Sequence, residues 1–487
     1  MENTKTQKTG TLKNILWKFA ERISAQVVSL IVSIVLARLL DPEHYGIIAI
    51  VLIFITFANI FVSEGLGSAL IQKKDADALD FSSVLFANIA LSIFLYLILF
   101  CLAPFISQFY GTGYEILTPV IRVLGLRLIL SSVNSVQHAY VAKKMIFRKF
   151  FLSTLLGTIL SAYVGVLMAY KGFGVWALVA QYLTNTTVDT IVLGITLRKK
   201  PLLRFSLFRL KKLFSYGVKI LGAGLLIQGY QELRSLIIGK IYSSSDLAFF
   251  DKGRQFPKLI STNVDSSISS VLFSKMSSIQ DDKKKIKETI RKSISLSSFL
   301  MSPLMIGLAA VAEPFVIILL TEKWLPCVIM LQIFCLCHLF SPIHSANNQV
   351  YKAVGKSDVY LKLELIKKAI ELIVLLCVMW ISPLAIALSM LFTNVLFVFV
   401  NAAPNKKIIG YSLGEQLKDI LPNTFLALLM GFIVISISFI SFPNIFIQLI
   451  IQVFVGFIFY LGIAFLTNNK SLIYLLNTFM HKEKTTL

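Results

Sequence analysis

Of 487 residues, 56% are hydrophobic and 15% are charged, and the mean hydropathy is +0.78. A soluble domain carries roughly 25% charged residues, so this composition excludes a soluble enzyme, a secreted scaffold and a disordered chain. The net charge of +22 comes from 47 Lys and Arg against 25 Asp and Glu. Those cations sit between apolar stretches, which is the bias of cytoplasmic loops in a membrane protein rather than of a nucleic-acid surface.

Residues 1–13 are polar and basic, and the apolar run behind them is too long for a signal peptide and lacks a small-residue cleavage site. The N-terminus is therefore expected to be retained, and inside. Fourteen spans of membrane-crossing length follow, at 14–40, 45–68, 80–103, 115–141, 150–170, 173–197, 213–240, 246–274, 291–312, 326–351, 357–380, 383–403, 417–440 and 444–467. Alternation puts both termini in the cytoplasm. The inside segments then collect Lys143, Lys144, Arg148 and Lys149, the run from Arg198 to Lys212, and Lys283, Lys284, Lys285 and Lys287, whereas the outside loops hold two cations, Lys171 and Lys323. One miscounted span would scramble that separation. The outside loops are short and leave no room for an extracytoplasmic catalytic domain. The basic stretch 200–214, with Phe205, Phe208 and Phe214 among Arg and Lys, is expected to form an amphipathic helix on the inner leaflet linking two halves. Cys101, Cys327, Cys335, Cys337 and Cys377 fall in or beside apolar segments and read as packing residues.

An internal repeat defines the halves. The segments beginning at Pro104 (PFISQFYG) and Pro314 (PFVIILLT) lie 210 residues apart, as do Ser131 and Ser341, and Ser135 and Ser345, so span 4 matches span 10. An even number of spans separates them, and both halves insert the same way up. The expected architecture is an all-α polytopic membrane protein. Two parallel six-helix lobes, 1–197 (helices 1–6) and 213–403 (helices 7–12), are joined by a cytoplasmic amphipathic linker at 198–212. Helices 13 and 14 and a cytoplasmic tail occupy 404–487.

Charges inside spans are costly and face water or a partner. Lys18, Arg22, Gln26, Ser29 and Ser33 share one helical face on span 1, Thr56, Asn59 and Ser63 on span 2, and Lys219, Tyr230 and Arg234 on span 7. On span 8, Asp251, Arg254, Lys258, Ser261, Asp265 and Ser269 form a continuous stripe. A polar cavity between the lobes accounts for all four faces. The alternative is a hydrogen-bonded seam inside each lobe, with charges near span ends snorkelling to headgroups. Span 4 carries Arg127, Ser131, Asn134 and His138 on one face, and span 10 carries Ser341, His344 and Asn348. Glu364, Lys367, Lys368 and Glu371 on span 11 are spaced to pair with one another.

The candidate cargo-binding residues are Arg22, Gln26, Asn59, Arg127, Lys219, Arg234, Lys252, Arg254 and Lys258. Candidates for ion coupling are Asp251, Asp265, His138 and His344, the histidines because their charge changes near neutral pH; neutralisation of Arg254 or Lys258 is an equal role for Asp251. A cationic cavity suits an anionic cargo such as a phosphate or diphosphate, which Arg grips bidentately, and a lipid-tailed cargo also needs a lateral opening. The chain has no phosphate loop ending in GK[ST], no HExxH, no CxxC and no GxSxG. No catalytic residue, metal or cofactor is expected, and transport rests on an ion, potential or cargo gradient.

Residues 36–46 (LARLLDPEHYG) resemble the end of the first helix and the first loop of Wzx-like polysaccharide-transport flippases of the multidrug/oligosaccharidyl-lipid/polysaccharide exporter superfamily. GLGSALIQKKDAD (65–77), LAFFDKGRQFPKL (247–259), SKMSSIQDD (274–282), SPLMIGLAAVAEPFVIILLTEKW (302–324) and NNQVYKAVGKSDVYLKLELIKK (347–368) extend the likeness in order, and it is strongest to the lipopolysaccharide and exopolysaccharide branch. The resemblance implies a V-shaped pair of lobes alternating access across the bacterial cytoplasmic membrane. It implies a cargo of polyprenyl-diphosphate-linked oligosaccharide (an undecaprenyl-linked O-antigen, capsule or exopolysaccharide unit), moved from the cytoplasmic to the outer leaflet, with polymerase and assembly proteins as partners and no nucleic acid. Helices 13 and 14 resemble those that form a lipid-side groove in lipid II flippases. In span 8 the sequence departs from the expected Tyr-Tyr-(Asn/Ser)-Arg pattern, with Phe249, Phe250, Asp251 and Lys252 in its place and Arg254 as the nearest arginine. Two readings compete: an ion-coupled drug or peptide exporter, expected to have twelve spans and an acidic cavity, and a lipid II flippase. A polymerase or ligase is expected to carry a large outside loop that this chain lacks.

Overall fold

The computed structural model describes residues 26–63, 65–197, 202, 204–279 and 282–483. Lipid offers the backbone no hydrogen bonds, so each apolar stretch must close its own as a helix; the described residues form helices and turns, with no strand. The chain divides into two compact units, Met1–Ala248 and Phe249–Leu487.

The first unit contains α1 (Gln26–Leu39), α2 (Pro42–Ser63), α3 (Gly65–Gln72), α4 (Ala78–Tyr110), α5 (Leu117–Gly125), α6 (Arg127–Lys144), α7 (Phe147–Tyr170), α8 (Val175–Leu197) and α9 (Leu207–Ile241). Helix α10 (Ser244–Ser277) crosses into the second unit, which continues with α11 (Lys283–Ala310), α12 (Ala312–Leu320), α13 (Cys327–His338), α14 (Ser341–Ala353), α15 (Ser357–Val378), α16 (Pro383–Ile409), α17 (Leu413–Ile437), α18 (Ile445–Leu466) and α19 (Lys470–Glu483). Among the described residues, each expected span falls on a helix or on two consecutive ones, the first span being described only from Gln26. Among the described residues, nine segments are long and apolar enough to cross a membrane: α2–α3, α4, α5–α6, α7, α11, α13–α14, α16, α17 and α18. The remaining expected spans fall on α1, described from Gln26, and on α8, α9, α10 and α15, whose polar side chains lower their hydropathy. The chain is a multi-pass, all-helical membrane protein.

In the first unit α7 and α8 form the tightest hairpin. Gly172 (φ +78°) and Gly174 (φ +56°) make its turn, a conformation that side chains with a Cβ avoid. The face of α7 toward α8 is a small-residue stripe of Ser153, Gly157, Ser161, Gly165 and Ala169, all buried. That stripe lets the backbones approach: a Cβ on Gly157 would sit 3.1 Å from the Asn185 carbonyl. Helix α9, which the sequence groups with the second lobe, packs here on α2, α3 and α4. Gly217 and Gly65 bring its backbone against α3, 3.1 Å from where a Cβ would stand. The basic stretch before α9 forms no separate surface helix among its described residues: Arg204–Ser206 are not helical, and Ser206 caps α9 at Leu207. Asp77 caps α4 in a reciprocal box with Asp80, and the Arg209 guanidinium reaches Asp77 at 2.5 Å, tying α9 to that cap.

The second unit is built around the α11–α17 pair. At one end Lys287 bonds Glu415 (2.8 Å) and Arg291 bonds both oxygens of Asp419 (2.8 Å each). Deeper, the Asn423 amide donates to Ser298 Oγ (2.7 Å) and to the Ser295 carbonyl (2.8 Å). Helix α18 joins through Phe299, Met430, Val434 and Tyr460, and the Tyr460 hydroxyl donates to the Phe299 carbonyl at 2.9 Å. The last two expected spans are thus fastened to this unit by both packing and polar contacts.

Spans 4 and 10, the matched pair of the repeat, are each broken into two helices, at Leu126 and at Leu339–Phe340. Both breaks keep right-handed helical dihedrals (φ −57°, ψ −24° at Leu126; φ −59°, ψ −32° at Leu339). The helices therefore stutter rather than end, a form of interruption that spanning helices tolerate when neighbouring groups satisfy the backbone.

Candidate functional site

Within the first unit, polar side chains converge where α6 faces α8. Arg127, at the start of α6, donates from Nε to the Thr186 hydroxyl at 3.0 Å and lies over the Tyr182 ring at 5.4 Å. About one turn further along α8, Asp189 accepts from the Asn134 amide at 2.8 Å, and His138 Nε2 lies 3.1 Å from the same oxygen. The His138 ring packs edge-on against Phe150 of α7 at 4.5 Å. Arg127, Asn134 and His138 are thus brought to one face, as their spacing predicts. Their partners Thr186, Asp189 and Tyr182 are the residues that sequence reasoning missed. The available signal was Asp189 itself, the one acid in span 6, a turn from Asn185 and Thr186.

Elsewhere in this unit, Arg234 of α9 is buried, donating to the Tyr230 hydroxyl at 3.4 Å with its guanidinium 5.3 Å from that ring. Asn59 of α2 buries its Oδ1 with no hydrogen-bond partner among the described residues. Gln26 starts the described part of α1, Arg22 lies outside the described residues, and Lys219 is placed on α9 without a described side chain.

In the second unit the stripe on α10 splits into two parts. Its first part is ionic: Arg254 donates to Asp251 at 2.9 Å, while Lys252 is buried against the Trp324 ring, 5.7 Å from its centroid. Lys258, one turn on, is exposed. The later part is a seam toward α14, where Ser261 Oγ lies 3.1 Å from Asp265 and 3.2 Å from Ser341 Oγ, and Ser269 meets Ser345 at 2.7 Å. The hydrogen-bonded alternative therefore describes Ser261 and Ser269, which touch a helix of their own unit, and Asp265, which accepts from Ser261. The pairing of span 11 is as spaced, with Lys367 to Glu364 at 2.5 Å and Lys368 to Glu371 at 3.0 Å.

A second cluster joins α14, α16 and α17. His344 Nδ1 lies 2.9 Å from the Asn401 amide nitrogen. Asn405 donates to Asn347 at 2.6 Å, and Asn347 donates to Gln416 at 2.9 Å. Asn347, Asn401, Asn405 and Gln416 are almost wholly buried, so each bond replaces one that water would have made. Among the described residues no His, Cys, Asp and Glu side chains converge as metal ligands would. These arrangements hold the Arg127, Arg234 and Arg254 guanidinium groups on hydroxyl and carboxylate partners of neighbouring residues.

Comparisons with known proteins agree with this fold. The succinoglycan biosynthesis transport protein ExoT of Rhizobium meliloti (strain 1021) is 26% identical over 324 residues, 66% of this chain and 65% of that one, so the match spans just under two thirds of the relative. The lipopolysaccharide biosynthesis protein WzxC of Escherichia coli (strain K12) is 22% identical over 359 residues, 73% of each chain. Among solved structures, the lipid II flippase MurJ in an inward closed conformation superposes with a TM-score of 0.74 at 16% identity, covering 94% of this chain and 99% of that one. An inward-facing multidrug resistance MATE transporter of the MOP superfamily gives 0.63 at 15% identity, covering 79% and 94%. At such identities the two structures speak to the fold alone. Residues 35–329 match the family described as polysaccharide biosynthesis protein, and the chain belongs to that family.

Proposed function

We propose that this protein is a flippase that moves polyprenyl-diphosphate-linked oligosaccharide, a unit of O-antigen, capsule or exopolysaccharide, from the cytoplasmic to the outer leaflet of the bacterial cytoplasmic membrane. It does so without chemistry on the cargo, by alternating access, with both termini in the cytoplasm. The family match over residues 35–329 carries this reading. The relatives named for polysaccharide assembly and the cations inside both units support it.

In this reading the diphosphate is held by Arg127, Arg234, Arg254 and Lys258, with Arg22, Gln26, Asn59 and Lys219 completing the set and the polyprenyl tail left in lipid. Lys252, buried near the Trp324 ring, belongs to the same set. The groups assigned to ion coupling are His138, which meets Asp189, and Asp251, Asp265 and His344. A guanidinium already held by a hydroxyl and a ring, as Arg127 is by Thr186 and Tyr182, is oriented before cargo arrives, which reduces the ordering cost of binding. Polymerase and assembly proteins act on the delivered unit.

The test is substitution in cells. Arg22→Ala and Arg254→Ala each abolish polymer production while the protein accumulates normally in the membrane. Normal polymer from both variants would remove the cationic residues from the account. The MurJ likeness favours a second reading, lipid II as cargo; under it, loss of the protein arrests cell-wall synthesis rather than polymer export.

A further inference from the structure

A cavity of about 380 Å³ opens in the first unit between α4, α6, the end of α8 and Leu202, which with residues 204–206 forms the described strap before α9. Phe81, Leu85, Val133, Val136 and Leu202 give it an apolar wall, and Phe81 stacks edge-on against Tyr140 at 5.4 Å. Its volume lies within the roughly 300–1,000 Å³ of small-molecule sites. Asp77 and Lys144 stand at the end that the charge bias assigns to the cytoplasm. Leu85 lies eight residues beyond Asp77 on α4, about 12 Å along the helix. The cavity therefore extends along α4 over a length comparable to the hydrocarbon depth of one leaflet, about 15 Å.

The strap is pinned over this space at two points. The Leu202 N–H donates to Ser82 Oγ at 2.8 Å, and the Ser206 N–H donates to Ser83 Oγ at 3.0 Å. Of the charges around the mouth, Asp77 is engaged by Arg209 and by the α4 cap, Lys143 by the carbonyls that end α3, and Lys149 by the Thr196 carbonyl at 2.8 Å. Lys144, on the rim, and Arg204, on the strap between its two pins, are exposed and have no ion pair or hydrogen bond among the described residues. An apolar slot of leaflet depth with two unengaged cations at its interfacial end has the chemistry of one lipid: an acyl chain beneath an anionic headgroup.

We propose that the first unit binds an anionic membrane phospholipid here, one acyl chain lying between α4 and α6 and the headgroup phosphate on Lys144 and Arg204, so that the lipid holds the strap in place. A polyprenyl chain several times longer does not fit this volume, which separates the site from cargo binding.

Native mass spectrometry of the full-length protein, released from nanodiscs of equal phosphatidylglycerol and phosphatidylethanolamine, tests it. The wild type retains one phosphatidylglycerol in preference. Lys144→Gln with Arg204→Gln lowers the preference about fivefold for each cation, the worth of one basic side chain at an anionic surface. Both positions are exposed, so the double variant keeps the wild-type unfolding temperature. Leu85→Trp, which fills the slot, removes the adduct. Equal retention of the two lipids by the wild type, unchanged preference in the double variant, or a retained polyprenyl phosphate in place of the phospholipid would each overturn the proposal. The readout uses lipid mass alone and does not depend on orientation or on the flippase reading.

Discussion

Asp189 links the two helices that carry most of the polar side chains of the first unit. It accepts from Asn134 and sits 3.1 Å from His138, and its residue is about nine-tenths buried. Hydrogen bonds to a buried charge contribute ~1.5–3 kcal/mol each. Asp189→Asn keeps one oxygen for Asn134 and His138 but removes the charge that strengthens those bonds, so it should lower stability by about 1 kcal/mol, read as a fall in the thermal midpoint of the detergent-solubilised protein. An unchanged midpoint would show that the carboxylate contributes nothing to the α6–α8 contact. Gly46 is a second residue whose identity is forced: a Cβ there would stand 1.8 Å from the backbone oxygen of Ser244. No side chain can swing away from that clash, so Gly46→Ala should cost folded protein, seen as loss of the monodisperse peak in gel filtration. A normal peak would mean that the α9–α10 turn is free to shift.

At the scale of elements, hydropathy and function oppose one another. The helices that fall short of an apolar span, α8, α9, α10 and α15, are those that carry Asp189, Arg234, Arg254 and the Lys367–Glu364 pair. Residues that serve the bilayer give a clear periodic signal, and the expected spans accordingly fall on helices along the whole described chain. Residues that serve one another do not. Ser261 and Ser269 lie on the same stripe as Arg254 in sequence, yet their partners Ser341 and Ser345 are some 80 positions away, and nothing local reveals whether a polar face meets water or another helix. The breaks at Leu126 and Leu339 keep a right-handed backbone, so Gly125 before the first and Pro342 after the second are the local marks the sequence offers.

The ends of elements carry their own test. At the start of α17 the Lys287 ammonium, followed by the Ser412 N–H, holds Glu415 down to about 2, below the usual value of about 4.3. A carboxyl lowered on folding contributes stability above its unfolded pKa and loses it as pH falls toward the folded value. The thermal midpoint of the wild type should therefore drop more between about pH 4.3 and about pH 2 than that of Glu415→Gln. Parallel curves would show that the α11–α17 contact does not depend on this pair.

The whole molecule combines two compact units, each with cations and hydrogen-bonded polar groups inside an otherwise apolar bundle. A membrane protein retains such groups against their cost when they face a cargo or one another. The central claim is that the cargo is a lipid-linked oligosaccharide, and it is tested by deleting the gene and analysing the extracted polyprenyl-diphosphate lipids by mass spectrometry. The account predicts accumulation of one oligosaccharide-linked lipid, cleared by the intact gene and not by the Arg254→Ala variant. An unchanged lipid pool, with new sensitivity to cationic drugs, would contradict it and identify an exporter.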